Sequence, residues 1–288
     1  MTTNFLKSVS SINWLRPFSA VLSWLPRQQR RQGASVAAGF MLCLVVSGPA
    51  VAGPEGGVIR AGDGTITERG LLTLIRQNSD RLAIDWETFN LAGNETVRFI
   101  QPGETSVALN RIFDQNPSQI FGVIEANGRV VLINPNGMLF GETAQLNVAG
   151  LVASSLSISV DDFMSGNYTL EGSGEGGLIL NQGTINADYV ALIGEAVANE
   201  GLIVADAGVV HLAAGRKVAI DFDGGGLMFF ESDSEILSSA LDVDAAVSNS
   251  GTIIADGGRV LLTADAARDV YSQAVNNAGL IQARRIDN

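Results

Sequence analysis

Disulfide frameworks, histidine- or cysteine-based metal centres and a basic surface are all disfavoured by what this chain has little of. Its 288 residues include 1 cysteine, 1 histidine and 6% aromatics, and 18 Lys+Arg stand against 30 Asp+Glu. The cysteine, Cys43, sits inside the apolar stretch ASVAAGFMLCLVVSGPAVA, and Lys7, Arg16, Arg27, Arg30 and Arg31 all precede the first acidic residue, Glu55. That order reads as a secretory leader over residues 1–52. It has a basic n-region, an apolar h-region around Val36 to Val46, and a small-x-small cleavage site at Ala50-Val51-Ala52 that leaves Gly53 as the new amino terminus. The n-region is long, so either the start codon is misplaced or the leader is of an extended type. The apolar run is too short and too interrupted by glycine for a stable membrane span. The position of Cys43 away from the cleavage site speaks against a lipid-anchored amino terminus.

Without the leader, 236 residues remain, with no cysteine, a single lysine (Lys217) and 13 Lys+Arg against 30 Asp+Glu, a formal charge of −17. A surface this acidic repels phosphate backbones and anionic lipid, which argues against nucleic acid as a partner. An exported chain could have used disulfides. Two explanations of their absence stand level: a cross-link would lock a fold that has to be threaded through a second barrier, or a core of this size needs no staples.

Long hydrophobic runs and 3.6-residue apolar periods are also missing. The nearest helical pattern, LLTLIRQNSDRL (Leu71 to Leu82), is broken at Asn78-Ser79-Asp80 and reads as two strands and a turn. What is present is repetition. NQGTINADYVALIG (Asn181 to Gly194), NEGLIVADAGVVHLAAG (Asn199 to Gly215), NSGTIIADGGRVLLTA (Asn249 to Ala264) and NNAGLIQA (Asn276 to Ala283) share one plan: Asn, Gly, an apolar pair, a small-acidic step and a second apolar run. IEANGRVVLINP (Ile124 to Pro135) matches its second half. Gly183 and Gly201 lie 18 residues apart, about one turn of a parallel β-helix. Stacking such units buries the apolar side and pairs the strand edges of each one. Asn is then expected at corners, where its amide bonds the next rung, and Gly where a Cβ would clash. The stretch Arg216 to Val247, with Gly224-Gly225-Gly226, is an insertion expected to begin as a strand pair and leave the rung as an acidic excursion.

Between Gly57 and Ser155 the chain resembles the amino-terminal secretion domain of two-partner-secretion exoproteins, the filamentous-haemagglutinin family. The resemblance is carried by Trp86 with Phe89-Asn90, Asn110-Arg111-Ile112, Pro117-Ser118-Gln119-Ile120 with Gly122, Ala126-Asn127-Gly128, and Asn134-Pro135-Asn136-Gly137. It implies an all-β fold: a right-handed parallel β-helix with a capping, partly antiparallel N-terminal region. It implies a partner, an outer-membrane transporter barrel with periplasmic POTRA domains that recognises the exoprotein and threads it to the cell surface. The expected organisation is a leader (1–52), a secretion domain (53–160) and further β-helix rungs (161–288) with the insertion at 216–247. Downstream of such a domain the family carries adhesins, haemolysins or contact-dependent toxins, whose ligands lie on host or neighbouring cells. The earlier Asn-Pro-Asn-Leu motif of some members is absent here, and members are usually far longer. Because the chain stops at Asn288 with a rung begun and no polar cap, a truncated record of a longer exoprotein or a frame-shifted relic is expected.

Asn110, Arg111, Asn134, Pro135, Asn136 and Gly137 are the candidate residues for transporter recognition. For the turn at Asn134 a plain tight corner and a direct partner contact are equally good readings. For Asn110-Arg111, bonding to the local backbone and a neighbouring carboxylate is somewhat the better one. No cofactor, metal or catalytic group is expected. His211, in GVVHLAAG, reads as a satisfied strand residue. GSGEGG (Gly172 to Gly177) precedes a strand and not a helix, so it is no dinucleotide site. Asp161-Asp162, Asp221/Asp223 and Asp242/Asp244 read as solvated turns. Two rivals remain: a polysaccharide-cleaving β-helix enzyme, which needs clustered carboxylates beside Lys or Arg, and a stand-alone surface-binding module.

Overall fold

The computed structural model describes residues 53–172, 176–205, 208–220, 241, 243–266 and 270–284. The expected leader with Ala50 and Ala52, together with Asp221, Asp223 and Asp242, lies outside the described residues.

Strands as short as Thr184–Asn186, Leu202–Val204 and Thr252–Ile254 point one side chain inward each, and none can bury it alone. Stacked in parallel register, Ile185, Ile203 and Ile253 form a ladder that begins below at Val97, Ile124 and Leu146. All six side chains are fully buried. Each such burial is worth about 1.5–3 kcal/mol. Three sheets wrap the column in this way. The first has eight strands, from Val58–Ala61 to Arg259–Ala264, and the second nine, from Gly64–Arg69 to Leu280–Gln282. The third has six, from Ser118–Ile120 to Gln273–Asn277. Pairing within them is parallel except at the amino-terminal end. There Val58–Ala61 lies antiparallel on Arg81–Trp86, and Gly64–Arg69 antiparallel on Leu72–Gln77. The β-helix with a partly antiparallel amino-terminal region is the observed architecture, and Leu71 to Leu82 does form two strands and a turn.

Corners repeat as the sequence demands. A Cβ on Gly201 would lie 2.2 Å from the carbonyl oxygen of Gly183, one on Gly251 2.2 Å from that of Gly201, and one on Gly279 2.2 Å from that of Gly251. Beside this glycine stack runs an amide ladder: Asn181 Nδ2 donates to Asn199 Oδ1 (2.8 Å), Asn199 to Asn249 (2.7 Å) and Asn249 to Asn277 (2.7 Å). Each amide in the interior of the ladder is donor to one rung and acceptor from the other, so a buried polar side chain is satisfied by its own copy.

The first sheet is buried on both sides, which accounts for strands such as Tyr189–Gly194 and Val209–Ala214 being apolar at almost every position. Val130, Leu151, Val190 and Val210 face the column interior. Val131, Val152, Ala191 and Ala213 face outward, under a cover formed by Leu156, Ile158, Phe163, Leu170, Val218 and Ile220. Two readings change here. Asp161 and Asp162 belong to the first turn of a short helix, Val160–Ser165, because Ser159 caps it by accepting from the Asp162 amide (3.0 Å). The insertion does begin as a strand, Lys217–Ala219, but its antiparallel partner is Thr169–Glu171, outside the insertion. The cover needs both excursions to close over the sheet, so the pairing is long-range. The column resumes at Ala245–Asn249, before the expected end of the insertion.

Candidate recognition site in the amino-terminal rungs

Strands Arg81–Trp86, Val107–Ile112 and Arg129–Ile133 are consecutive neighbours in the first sheet, which puts Trp86, Asn110 and Val131 on adjacent rungs. By the two-residue period of the strand, Asn110 shares the inward side with Ala108 and Ile112 and is fully buried. Its amide is completely engaged: Oδ1 accepts from the Trp86 indole (3.0 Å), and Nδ2 donates to the carbonyls of Ala108 and Val131 (both 3.2 Å). Trp86 in turn packs edge-on against Phe89. In the folded column Asn110 is thus an internal strut, its amide turned to the protein's own groups.

Arg111 points outward. Its guanidinium donates to Asp85 through Nε (2.8 Å) and Nη2 (3.0 Å), and Arg60 Nε reaches the same carboxylate at 2.7 Å. The Arg111 guanidinium also lies 5.6 Å from the centre of the Phe113 ring, which is 60% exposed. The local pairing expected for Asn110-Arg111 is what the structure contains.

The turn at Asn134 is a fastener between three rungs. Asn134 Oδ1 accepts from the Asn136 amide (2.9 Å), and the Gly137 amide donates to the Asn134 carbonyl (2.9 Å), so the turn closes on itself. Downward, Asn134 Nδ2 donates to the Asn116 carbonyl (3.1 Å) and Ser118 Oγ (3.0 Å), and Asn136 Nδ2 to the Asp114 carbonyl (2.7 Å). Upward, the Pro135 carbonyl accepts from the Gly177 amide (2.9 Å). Gly137 has φ +99°, and a Cβ there would meet the Leu178 carbonyl at 2.5 Å. Two asparagines, a proline and a glycine are needed because the turn serves the rungs on both sides of it. Asn134 and Gly137 are buried, Pro135 is half-buried and Asn136 is exposed.

The remaining motif residues also hold backbone. Asn90 Oδ1 accepts from the Gln119 amide (2.7 Å), and Asn127 exchanges two 2.8 Å bonds with the Gln101 backbone. One network escaped the sequence reading. Gln101 Nε2 donates to Gln77 Oε1 (3.0 Å), the Ser106 carbonyl (3.1 Å) and the Arg129 carbonyl (3.2 Å), filling a second corner with amides. Its signal was a glutamine at the end of a strand or directly after it, in Gln77-Asn78 and Gln101-Pro102. His211 is buried in its strand, with Nε2 2.7 Å from Thr263 Oγ1, and burial pushes its pKa down to about 4. Lys217 pairs with Glu171 at 3.0 Å. Among the described residues no group of three or more His, Cys, Asp or Glu side chains is placed to hold a metal ion, and no helix is long and apolar enough to cross a membrane.

The profile of the TPS secretion domain family matches residues 53–288. A heme/hemopexin-binding protein of Haemophilus influenzae is 36% identical over 205 residues, covering 68% of this chain and 22% of that protein. A second Haemophilus influenzae protein of that description is 43% identical over 94 residues, or 33% of this chain and 10% of the relative. This chain therefore spans about a fifth of the length of the first relative, or less for the second. Among solved structures, the HMW1 secretion domain from Haemophilus influenzae superposes with a TM-score of 0.68 at 31% identity, covering 82% of this chain and 60% of that one. With the profile matched across the whole column and the motif residues placed as its fasteners, the chain belongs to the TPS secretion domain family of two-partner-secretion exoproteins.

Proposed function

We propose that this chain is the export module of an exoprotein: an outer-membrane transporter recognises its amino-terminal rungs through periplasmic POTRA domains and threads the chain outward, and the emerging rungs fold on those already outside. The observation that carries this reading is the uninterrupted parallel register from Leu72–Gln77 to Leu280–Gln282, in which every rung offers the next one its hydrogen-bond edge and its apolar ladder, joined from Asn181 onward by a ladder of corner amides. Folding of this kind supplies direction where neither ATP nor a sustained ion gradient is at hand. The family match begins at Gly53, the residue that follows the expected cleavage site Ala50-Val51-Ala52, in keeping with a removed leader and passage through the periplasm. The secretion domain comprises residues 53–160, and the rungs from 161 onward begin an adhesin- or haemagglutinin-like stalk directed at a host or neighbouring-cell surface.

The module is non-enzymatic in this reading; Lys217 is engaged by Glu171 on the cover. The heme/hemopexin binding in the relatives' name is not carried over to this module, whose one histidine is buried in a strand. Expression in cells with and without the transporter tests the proposal. The chain is expected to become protease-accessible at the surface only when the transporter is present. Equal surface exposure in its absence would favour a stand-alone module, and release of unsaturated products from pectin-like polysaccharide would favour the enzyme.

A further inference from the structure

Several of the residues that carry the family resemblance are turned away from solvent. Asn110 and Asn134 are fully buried, and every amide bond the turn makes downward ends on one short segment, residues 114–118. What that segment presents is different. Phe113, Gln115, Asn116 and Pro117 are all exposed, and Phe113 is the most exposed large apolar side chain among the described residues, at 60%. Its ring is propped on the Arg111 guanidinium, itself fixed by Asp85. Asp114 Oδ1 accepts from the Asn116 amide (2.9 Å), so the loop is also stiffened from within. Beside it runs a groove of about 530 Å³ lined by Asn90, Ala92, Pro117, Gln119 and Phe121, whose two walls are joined by the Asn90 to Gln119 bond.

From this geometry we infer a division of labour: Asn110, Asn134, Asn136 and Gly137 are the scaffold, and the rigid loop Phe113–Pro117 with its adjoining groove is the surface on which the transporter docks. The inference rests on the secretion reading above and names the face it uses. An aromatic ring braced by a fixed guanidinium next to a preformed groove loses less entropy on binding than an unsupported one, the property of a binding anchor. Charge supports the transporter's periplasmic domain as the occupant. Residues 53–133 carry 10 acidic and 7 basic side chains, whereas residues 134–288 carry 20 and 6. The loop therefore belongs to the nearly balanced end of an otherwise strongly acidic chain. Its own charged groups, Arg60 and Arg111 with Asp85 and Asp114, cancel. A partner surface with an apolar pocket and a mildly acidic rim meets little repulsion at this end and much more at the later rungs.

The test is secretion of the full chain by its cognate transporter, with a photo-crosslinking residue placed at position 115 as a second readout. The combined change Phe113→Ser and Pro117→Ala is expected to lower the surface-exposed fraction about tenfold or more, with the thermal midpoint of the refolded chain unchanged. Ile100→Ser, at an exposed apolar position on a different sheet, is expected to leave secretion at the wild-type level. The crosslinker is expected to yield a chain–transporter adduct. Wild-type secretion of the loop variant, or a crosslink only to a second copy of this chain, would overturn the docking surface. If the transporter is still required in that case, the secretion reading stands; if the wild-type chain reaches the surface without the transporter, that reading falls as well.

Discussion

Side-chain amides do the work that disulfides do in other exported proteins: each ties one rung to the next. Asn199 is the clearest case, because it donates to Asn249 and accepts from Asn181 in a buried stack. Asn199→Ala removes both bonds and leaves a donor below and an acceptor above without partners, each costing about 1–3 kcal/mol. Urea unfolding is expected to show a loss of about 2–6 kcal/mol, far above the change at an exposed asparagine such as Asn116. His211 sets a pH dependence. Its imidazole is pushed down to about 4 by burial, so the folded state holds it neutral while the unfolded chain takes up a proton below its ordinary pKa near 6.5. Its contribution is intact above pH 6.5 and is lost as the pH falls toward 4. The full effect is about 3 kcal/mol. In His211→Asn the fall in unfolding free energy between pH 7 and pH 4 is expected to be smaller by that amount; an identical slope would show that the histidine titrates normally.

At the scale of the element, the rung is specified by which residues can stand directly above one another. Gly201 sits between Gly183 and Gly251 with no room for a methyl group on the lower side, so Gly201→Ala is expected to shift the corner and cost more than the roughly 1–2 kcal/mol that a left-handed φ alone costs a residue with a Cβ. A thermal melt checks this, with Gly70→Ala as the comparison for a positive-φ glycine that has nothing within 4 Å. This corner, the Asn ladder and the strand pair around Asn78 were legible in the sequence, because each depends on residue types that recur at rung spacing. The helix at Val160–Ser165 was not, since six residues are too few to show a period and Asp161-Asp162 alone looks like a turn. Nor was the pairing of Thr169–Glu171 with Lys217–Ala219, because neither strand repeats and the two are far apart in the chain. For the site, the motif residues were found and their depth was not. Local bonding was the better reading of Asn110, and corner and contact were level for Asn134, but neither reading shows that both side chains are buried against carbonyls that only the stacked rungs create.

On the scale of the whole molecule, the column interior has its bulkiest buried side chains, Trp86, Phe89, Phe99 and Phe140, in the amino-terminal rungs, while later rungs are filled by smaller ones such as Ile203, Val210 and Ala255. A column that serves as a template from its amino-terminal end has to hold that end most firmly. Hydrogen exchange of the refolded chain, followed amide by amide under native conditions, measures this directly. The slowest amides are expected in Arg81–Trp86, Val107–Ile112 and Arg129–Ile133, with protection falling rung by rung toward Leu280–Gln282. Exchange that is fastest in the amino-terminal strands, or uniform along the column, would contradict the template.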